Sequence, residues 1–271
     1  DDALAALAAG NLVRAAGCTD LLAATDRKVL PGDVLDLTGI EGLREISDTD
    51  DHVRIGGGAT WTDIIGADLP AAFDGLKLAA REVGSIQIQN RGTVAGNLCN
   101  ASPAADGAPP LLTLDASVEL SSARGVRQLP LAKFITGPRQ IALQPDEVLT
   151  AVLIPKAATR GASHFLKLGA RKYLVISIAM TAARIVVEDG VVAEAALSVG
   201  ACSPVATRLA EAEAALIGAP LDPSCITDAM VDGALSPIDD VRADASYRRT
   251  SAAELVRRTL TQMAGTAKVA A

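Results

Sequence analysis

Residues 87–106 read QIQNRGTVAGNLCNASPAAD, and the reading of this stretch decides the fold. It has almost no aromatic or β-branched bulk, and it lies between an apolar, helix-like segment and the equally apolar PPLLTLDA (109–116). Residues this small let the backbone approach a bound group, and successive exposed N–H groups form an anion-binding concavity without any lysine. Ser102 is placed to cap a helix and Pro103 suits its first position, where a missing N–H costs nothing.

Two upstream stretches repeat the theme. LVRAAGCTDLL (12–22) runs from a short strand into a small-residue turn, and HVRIGGGATWTDIIGA (52–67) runs from a strand through Gly56, Gly57 and Gly58 into a helix. KVLPGDVLDLTGI (28–40) supplies a further β-like segment between them, and DDALAALAAG at the start has helical spacing. None of these loops is GxxxxGK[ST] or GxGxxG, so the two familiar nucleotide fingerprints are absent and a dinucleotide held in another way stays open. Short strands and turns follow in SVEL, VRQLPL and EVLTAVLIP (147–155). Beyond residue 160, HFLKLGA and KYLVISIAMTAARIVV read as strands, EDG as a hairpin turn and VVAEAALSVGA as the returning strand. PVATRLAEAEAALIGA, SCITDAMVDGALS and SAAELVRRTLTQMAG have the spacing of amphipathic helices. The pattern predicts an α+β fold, with three antiparallel strands packed with helices in its second part.

Composition removes several classes of function. The chain has 271 residues, 49% of them hydrophobic and 21% charged, which is the make-up of a globular protein. A net charge of −7 excludes a sequence-independent nucleic-acid binder, which needs a basic face to displace counterions. No apolar run reaches the roughly 18 residues of a membrane span, and DDALAALAAG is unlike a signal peptide, so the chain reads as cytoplasmic. The four cysteines, Cys18, Cys99, Cys202 and Cys225, form no CxxC pair, and with only two histidines, His52 and His164, no metal site is expected. Cys99 reads as a packing thiol, Trp61 as a core anchor for the helix it opens, and Arg171, Lys172 and Tyr173 as a solvated cluster.

AAGCTDLL (15–22), IGGGATWTDI (55–64) and above all QIQNRGTVAGNLCNASPAAD resemble the FAD-binding medium subunit of the molybdenum hydroxylases, the group of xanthine dehydrogenases and carbon monoxide dehydrogenase. The motifs come in the family's order, EVLTAVLIP sits where its flavin domain closes, and HFLKLGARKYLVISIA resembles the first strands of its C-terminal domain. The resemblance implies a two-part FAD-binding domain of the vanillyl-alcohol-oxidase/PCMH type over 1–158, with subdomains of about 1–54 and 55–158, then a C-terminal flavoprotein domain over 159–271. It implies noncovalent FAD held by three loops. Ala15, Ala16, Gly17, Cys18, Thr19 and Asp20 match the first loop, Gly57, Gly58 and Thr60 the second, and Thr93, Gly96, Asn97, Cys99, Ser102 and Asp106 the third. Leu149 and Lys167 match positions beside the flavin ring. Cys18 departs from the glycine or asparagine frequent there, and its bulk is expected to narrow the approach to the pyrophosphate.

With no metal motif of its own, the chain is expected to be one station in a relay. The family resemblance implies a small partner subunit with [2Fe–2S] clusters, a large partner with the molybdenum cofactor, and NAD or another carrier as acceptor, with a purine or other N-heterocycle as substrate on the molybdenum subunit. Two other readings stand beside it: a free-standing FAD-dependent NAD(P)H reductase resembling the enolpyruvyl-glucosamine reductase of cell-wall synthesis, and a non-catalytic assembly module. Intact Thr19, Thr93, Asn97 and Asp106 speak against the last.

Overall fold

Strands rich in Val, Ile and Leu form two separate antiparallel sheets. A computed structural model describes residues 1–10, 12–26, 29–30 and 32–269; Lys28 and Pro31 of the 28–40 segment lie outside the described residues. The first sheet has the order Ile46–Asp48 (β3), His52–Gly56 (β4), Val148–Pro155 (β9), Ser117–Ser122 (β5), Gly125–Pro130 (β6). β9 lies at its centre because VLTAVLIP is buried along nearly its whole length, as a strand covered on both faces must be. Before this sheet stand a helix, Asp2–Ala9 (α1), and a parallel pair, Val13–Ala15 (β1) with Val34–Asp36 (β2). Helices Trp61–Gly66 (α2), Asp74–Glu82 (α3), Ile86–Gln89 (α4), Val94–Asn100 (α5) and Ala108–Thr113 (α6) are strung between β4 and β5. They close a core of Ile55, Trp61, Phe73, Leu76, Leu98, Leu111 and Leu120 against the sheet. A short helix, Leu131–Phe134 (α7), and a two-stranded pair, Ile135–Gly137 (β7) with Gln140–Ile141 (β8), lead back to β9.

The second sheet runs Ala162–Leu168 (β10), Ala179–Glu188 (β11), Val191–Gly200 (β12), Thr207–Arg208 (β13). The three long strands are those expected, and a two-residue fourth adds to them inside the 204–219 stretch read as a helix, where the helix itself begins only at Ala210. Asp189 and Gly190, both at positive φ, make the hairpin turn that EDG predicts. Ala210–Leu216 (α8), Asp228–Asp232 (α9) and the 25-residue Ala245–Val269 (α10) cover the sheet over Ile185, Leu197, Val199, Val256 and Leu260.

Two expectations are corrected. Residues 169–178, carrying KYLVISI, are a loop and not the start of a strand: Leu174 has φ +51°, Tyr173, Leu174 and Ile176 face solvent, and the strand begins at Ala179, two residues after burial sets in at Ser177. Ser102 and Pro103 do not open a helix. Ser102 Oγ accepts only the Ala104 amide, at 3.3 Å, in a local turn, and the helix starts at Ala108 with Pro109 and Pro110 in its first turn. The chain reverses at Ala101, φ +45°, and Asp106 is engaged elsewhere.

The two halves meet along a polar seam. Gly75 N–H donates to Ser163 Oγ at 2.7 Å, Arg184 Nε to Thr113 O at 2.9 Å and Arg208 Nη1 to Leu112 O at 3.0 Å. Phe165, Met180 and Ala79 pack between them.

Candidate functional site

The three small-residue stretches converge on one cavity of about 430 Å³. The first hangs from β1, whose last residue, Ala15, is fixed by Leu37 N–H on its carbonyl at 2.8 Å. Beyond it the amide N–H groups of Gly17, Cys18, Thr19 and Asp20 find no acceptor among the described residues. All four residues line the cavity, and consecutive free backbone donors in such a loop form a cradle for an acceptor group. Cys18 holds φ +59°, a left-handed conformation that glycine and asparagine adopt more easily. The physical consequence of this residue is backbone strain in the loop, relieved in part by its Sγ–H on Ala16 O at 3.4 Å.

The second and third stretches are joined to each other. Trp61 N–H donates to Gly92 O and Val94 N–H to Ala59 O, at 3.2 and 2.9 Å. Thr60 caps α2 in a reciprocal capping box with Asp63, which Arg44 grips through both oxygens at 2.6 and 2.8 Å. Thr93 caps α5 by accepting Gly96 N–H at 3.0 Å; the segment read as a loop therefore becomes a helix from Val94. Gly57 and Gly58 do not offer their amides to the cavity, since these donate to Thr150 O and Leu43 O at 2.8 and 2.7 Å. Their use is close approach: a Cβ at Gly57 would overlap the Leu149 carbonyl.

Of the residues expected to hold a cofactor, Ala16, Gly17, Cys18, Thr19, Asp20, Gly57, Gly58, Thr93, Gly96, Asn97, Cys99 and Leu149 line this cavity. Thr60 faces an adjoining cavity of about 110 Å³ shared with Gly17, Gly58 and Thr93. Ala15 lies behind the first loop, and Ser102 stays in its turn. Asp106 and Lys167 are not on the wall. They pair with each other across the seam at 2.7 Å, with side chains 8% and 6% exposed; Asp106 also accepts Ser177 Oγ–H at 2.7 Å, and Lys167 donates to Glu82 O at 3.3 Å. Burial pushes the Asp106 carboxyl above its ordinary range, against the pull of Lys167 and Ser177. The pair nevertheless adjoins the cavity, because Val83 follows Glu82 in the wall and Gly107, after Asp106, packs on Trp61 and Asn97.

Apart from Arg14 and Asn100, the rest of the wall is apolar. Leu21, Leu37, Leu43, Val83, Ile88 and Val148 contribute, and Trp61, a core residue as expected, also shows an edge to the cavity. Nothing in their pattern separates them from core, so the sequence holds no signal for them. Burial pushes the Cys99 thiol up to about 12, which keeps it neutral and supports the packing role. Asn97 lines the cavity, and its buried Oδ1 has no partner among the described residues. An orphaned acceptor of this kind calls for a donor from a bound group. Apolar walls for a ring system, free amides for an anion and a waiting acceptor together fit FAD.

Residues 1–157 match the family described as the FAD binding domain in molybdopterin dehydrogenase. The chain belongs to that family. Residues 164–263 match the CO dehydrogenase flavoprotein C-terminal domain. The chain is 38% identical over 212 residues to the nicotinate dehydrogenase FAD-subunit of Eubacterium barkeri, covering 76% of this chain and 72% of the relative. It is 34% identical over 193 residues to the xanthine dehydrogenase FAD-binding subunit of Escherichia coli O157:H7, covering 70% and 66%. Among solved structures, a chain of the reconstituted CO dehydrogenase from Oligotropha carboxidovorans superimposes with a TM-score of 0.90 at 27% identity, covering 97% of this chain and 94% of that one. The protein is thus a FAD-binding oxidoreductase subunit of the molybdenum hydroxylase class. Among the described residues no helix is long and apolar enough to cross a membrane, and no three His, Cys, Asp or Glu stand together as a metal site.

Proposed function

We propose that this subunit collects electrons from [2Fe–2S] clusters on a small partner and delivers them to NAD or another carrier, while substrate is oxidised on a large molybdenum subunit. FAD accepts electrons singly and releases them as a pair, a property of the cofactor that the protein positions and tunes. The observation that carries the reading is the run of free amides at Gly17–Asp20 beside the unpartnered Asn97 Oδ1. The amides would hold the pyrophosphate, Gly57, Gly58 and Gly96 would let the backbone close on it, and Leu149 and the apolar wall would exclude water from the ring. Lys167 would place a positive charge behind the ring and favour the anionic reduced flavin, with Asp106 moderating that charge. An N-heterocycle is the substrate class best supported, because nicotinate, nicotine and xanthine name the complexes of several relatives.

The test is a titration of the purified chain with FAD and, separately, FMN, followed by flavin absorbance and fluorescence after free ligand is removed. Stoichiometric retention of FAD with little FMN is expected, together with iron and molybdenum co-purifying from the native host. In G96V the new side chain meets Thr93 Oγ1, 2.8 Å from its Cβ, displaces the cap and closes the cavity, so FAD is lost while the far-ultraviolet spectrum is kept. Equal retention of FAD by G96V and the parent, or a native complex without iron and molybdenum, would overturn the assignment.

A further inference from the structure

Arg248, on the first turn of α10, is 1% exposed, outside the cavity wall and unmarked by any motif. Its Nη1 donates to two carbonyls, Ile178 O at 2.5 Å and Ala201 O at 2.9 Å, and its Nη2 to Asp240 Oδ1 at 2.7 Å, while Nε has no partner among the described residues. A buried guanidinium is costly, and a methionine would fill the same space without that cost. What this one holds is therefore informative.

Both carbonyls lead to the same place. Ile178 follows Ser177, whose hydroxyl donates to Asp106 at 2.7 Å. Ala201, held at φ +63°, donates its own N–H to Pro103 O at 2.9 Å. The start of β11 and the end of β12 are thus tied together by one fork at the points where each reaches the 103–106 segment. Cys202, fully buried, packs its Sγ between Ile178 O and Arg248 O at 3.9 and 3.8 Å.

We propose that Arg248 is a positioning residue: through the carbonyls of Ile178 and Ala201 it fixes the Ser177 hydroxyl, and with it the Asp106–Lys167 pair that stands behind the cavity. The charged groups facing Asp106 are Lys167, which stabilises its carboxylate most, and Glu82, which opposes it, and the oriented Ser177 donor at 2.7 Å adds to the hold of Lys167. The consequence for a flavin rests on the function proposed above; the coupling itself does not.

The experiment is a titration of the Asp106 carboxyl in the flavin-free full-length chain, by ¹³C NMR with aspartate side-chain labelling and assignment through D106N. S177A is expected to raise the proton affinity of that carboxyl about tenfold, one pKa unit. R248M is expected to raise it to a similar extent, and S177A/R248M to raise it no further than S177A alone, since Arg248 acts through Ser177. R248K, which keeps the charge and loses the fork, shifts in the same direction and serves where R248M does not fold. An Asp106 titration unmoved in R248M or R248K, or shifts that add in the double variant, would overturn the proposal and leave Arg248 a purely structural tie. With FAD bound, the same variants are expected to displace the pH profile of the flavin potential. A chain that fails to bind FAD leaves the NMR result intact, so failure of the cofactor reading is distinguishable from failure of this one.

Discussion

Replacing Lys167 by methionine isolates the electrostatics of the seam. The substitution is close in volume and removes the ammonium from a pair whose members are 6% and 8% exposed, leaving Asp106 buried with Ser177 as its hydrogen-bond donor. A carboxylate stripped of its cation in such a place costs about 3–5 kcal/mol. The carboxyl escapes this cost by taking a proton, and the proton sets a ceiling: about 1.4 kcal/mol per pH unit between its ordinary value near 4 and the working pH, so about 4 kcal/mol at pH 7. The sign follows from linkage. Folded K167M binds a proton that the unfolded chain has released, so its stability relative to the parent falls as pH rises. Urea unfolding of parent and variant at pH 5, 6, 7 and 8 is expected to show a penalty growing toward that slope and small at pH 5. In D106N/K167M most of the loss is recovered, because neither partner is then left charged. A penalty below about 0.5 kcal/mol, the scale of an exposed pair, or one that does not change between pH 5 and pH 8, would refute the view that the pair is desolvated.

The remaining predictions concern the cavity wall. C18G removes the left-handed strain at φ +59°, worth about 1–2 kcal/mol, against about 0.4–1 kcal/mol of added unfolded-chain entropy, so the thermal midpoint should rise by about 1–4 °C. A midpoint unchanged or lowered would mean that the Sγ–H bond to Ala16 outweighs the strain. Glu147, held by Arg127 at 2.6 and 2.8 Å and by Gln144 N–H at 2.8 Å, has its carboxyl below the ordinary range, through the Arg127 hydrogen bonds first. Its stabilisation is therefore present above the unfolded carboxylate value and is lost as pH falls through the folded one. Because Glu147 precedes Val148 and Leu149 in the wall, and its carbonyl accepts Arg14 Nε–H at 2.9 Å, bound flavin should be released as pH falls below the ordinary carboxylate range. Flavin fluorescence reads that release, and E147Q should release flavin with a weaker dependence on pH; identical acid profiles for E147Q and parent would sink the link.

Local signals carried most of the fold into the sequence. The hairpin at Asp189-Gly190 and the amphipathic spacing of 251–265 are properties of a few neighbouring residues, and the structure keeps them. KYLVISI failed for a physical reason. Its apolar, β-branched run satisfies strand propensity, but Leu174 takes a left-handed φ and Ser177 donates to Asp106, and tertiary context overrides a weak local preference. Ser102-Pro103 failed likewise, since a helix signal is only local and Asp106 is committed to a residue sixty-one positions away.

The candidate site divides in the same way. Its loops are legible because an anion cradle made of backbone needs small residues close together, and small residues close together are visible in a sequence. Its apolar wall is illegible because Leu43, Val83 and Ile88 obey the same hydrophobic pattern whether they face a core or a ligand. Arg248 and Ser177 are illegible for a stronger reason. Their work is to hold carbonyls and a carboxylate contributed by other elements, and a backbone carbonyl has no letter in the sequence. The cavity thus draws on two kinds of residue: those in contact with what it binds, concentrated in three short motifs, and those that fix the contacts, dispersed over β10, the loop before β11 and α10. A family resemblance carries the first kind from one chain to another, whereas the second must be traced bond by bond from the carboxylate outward.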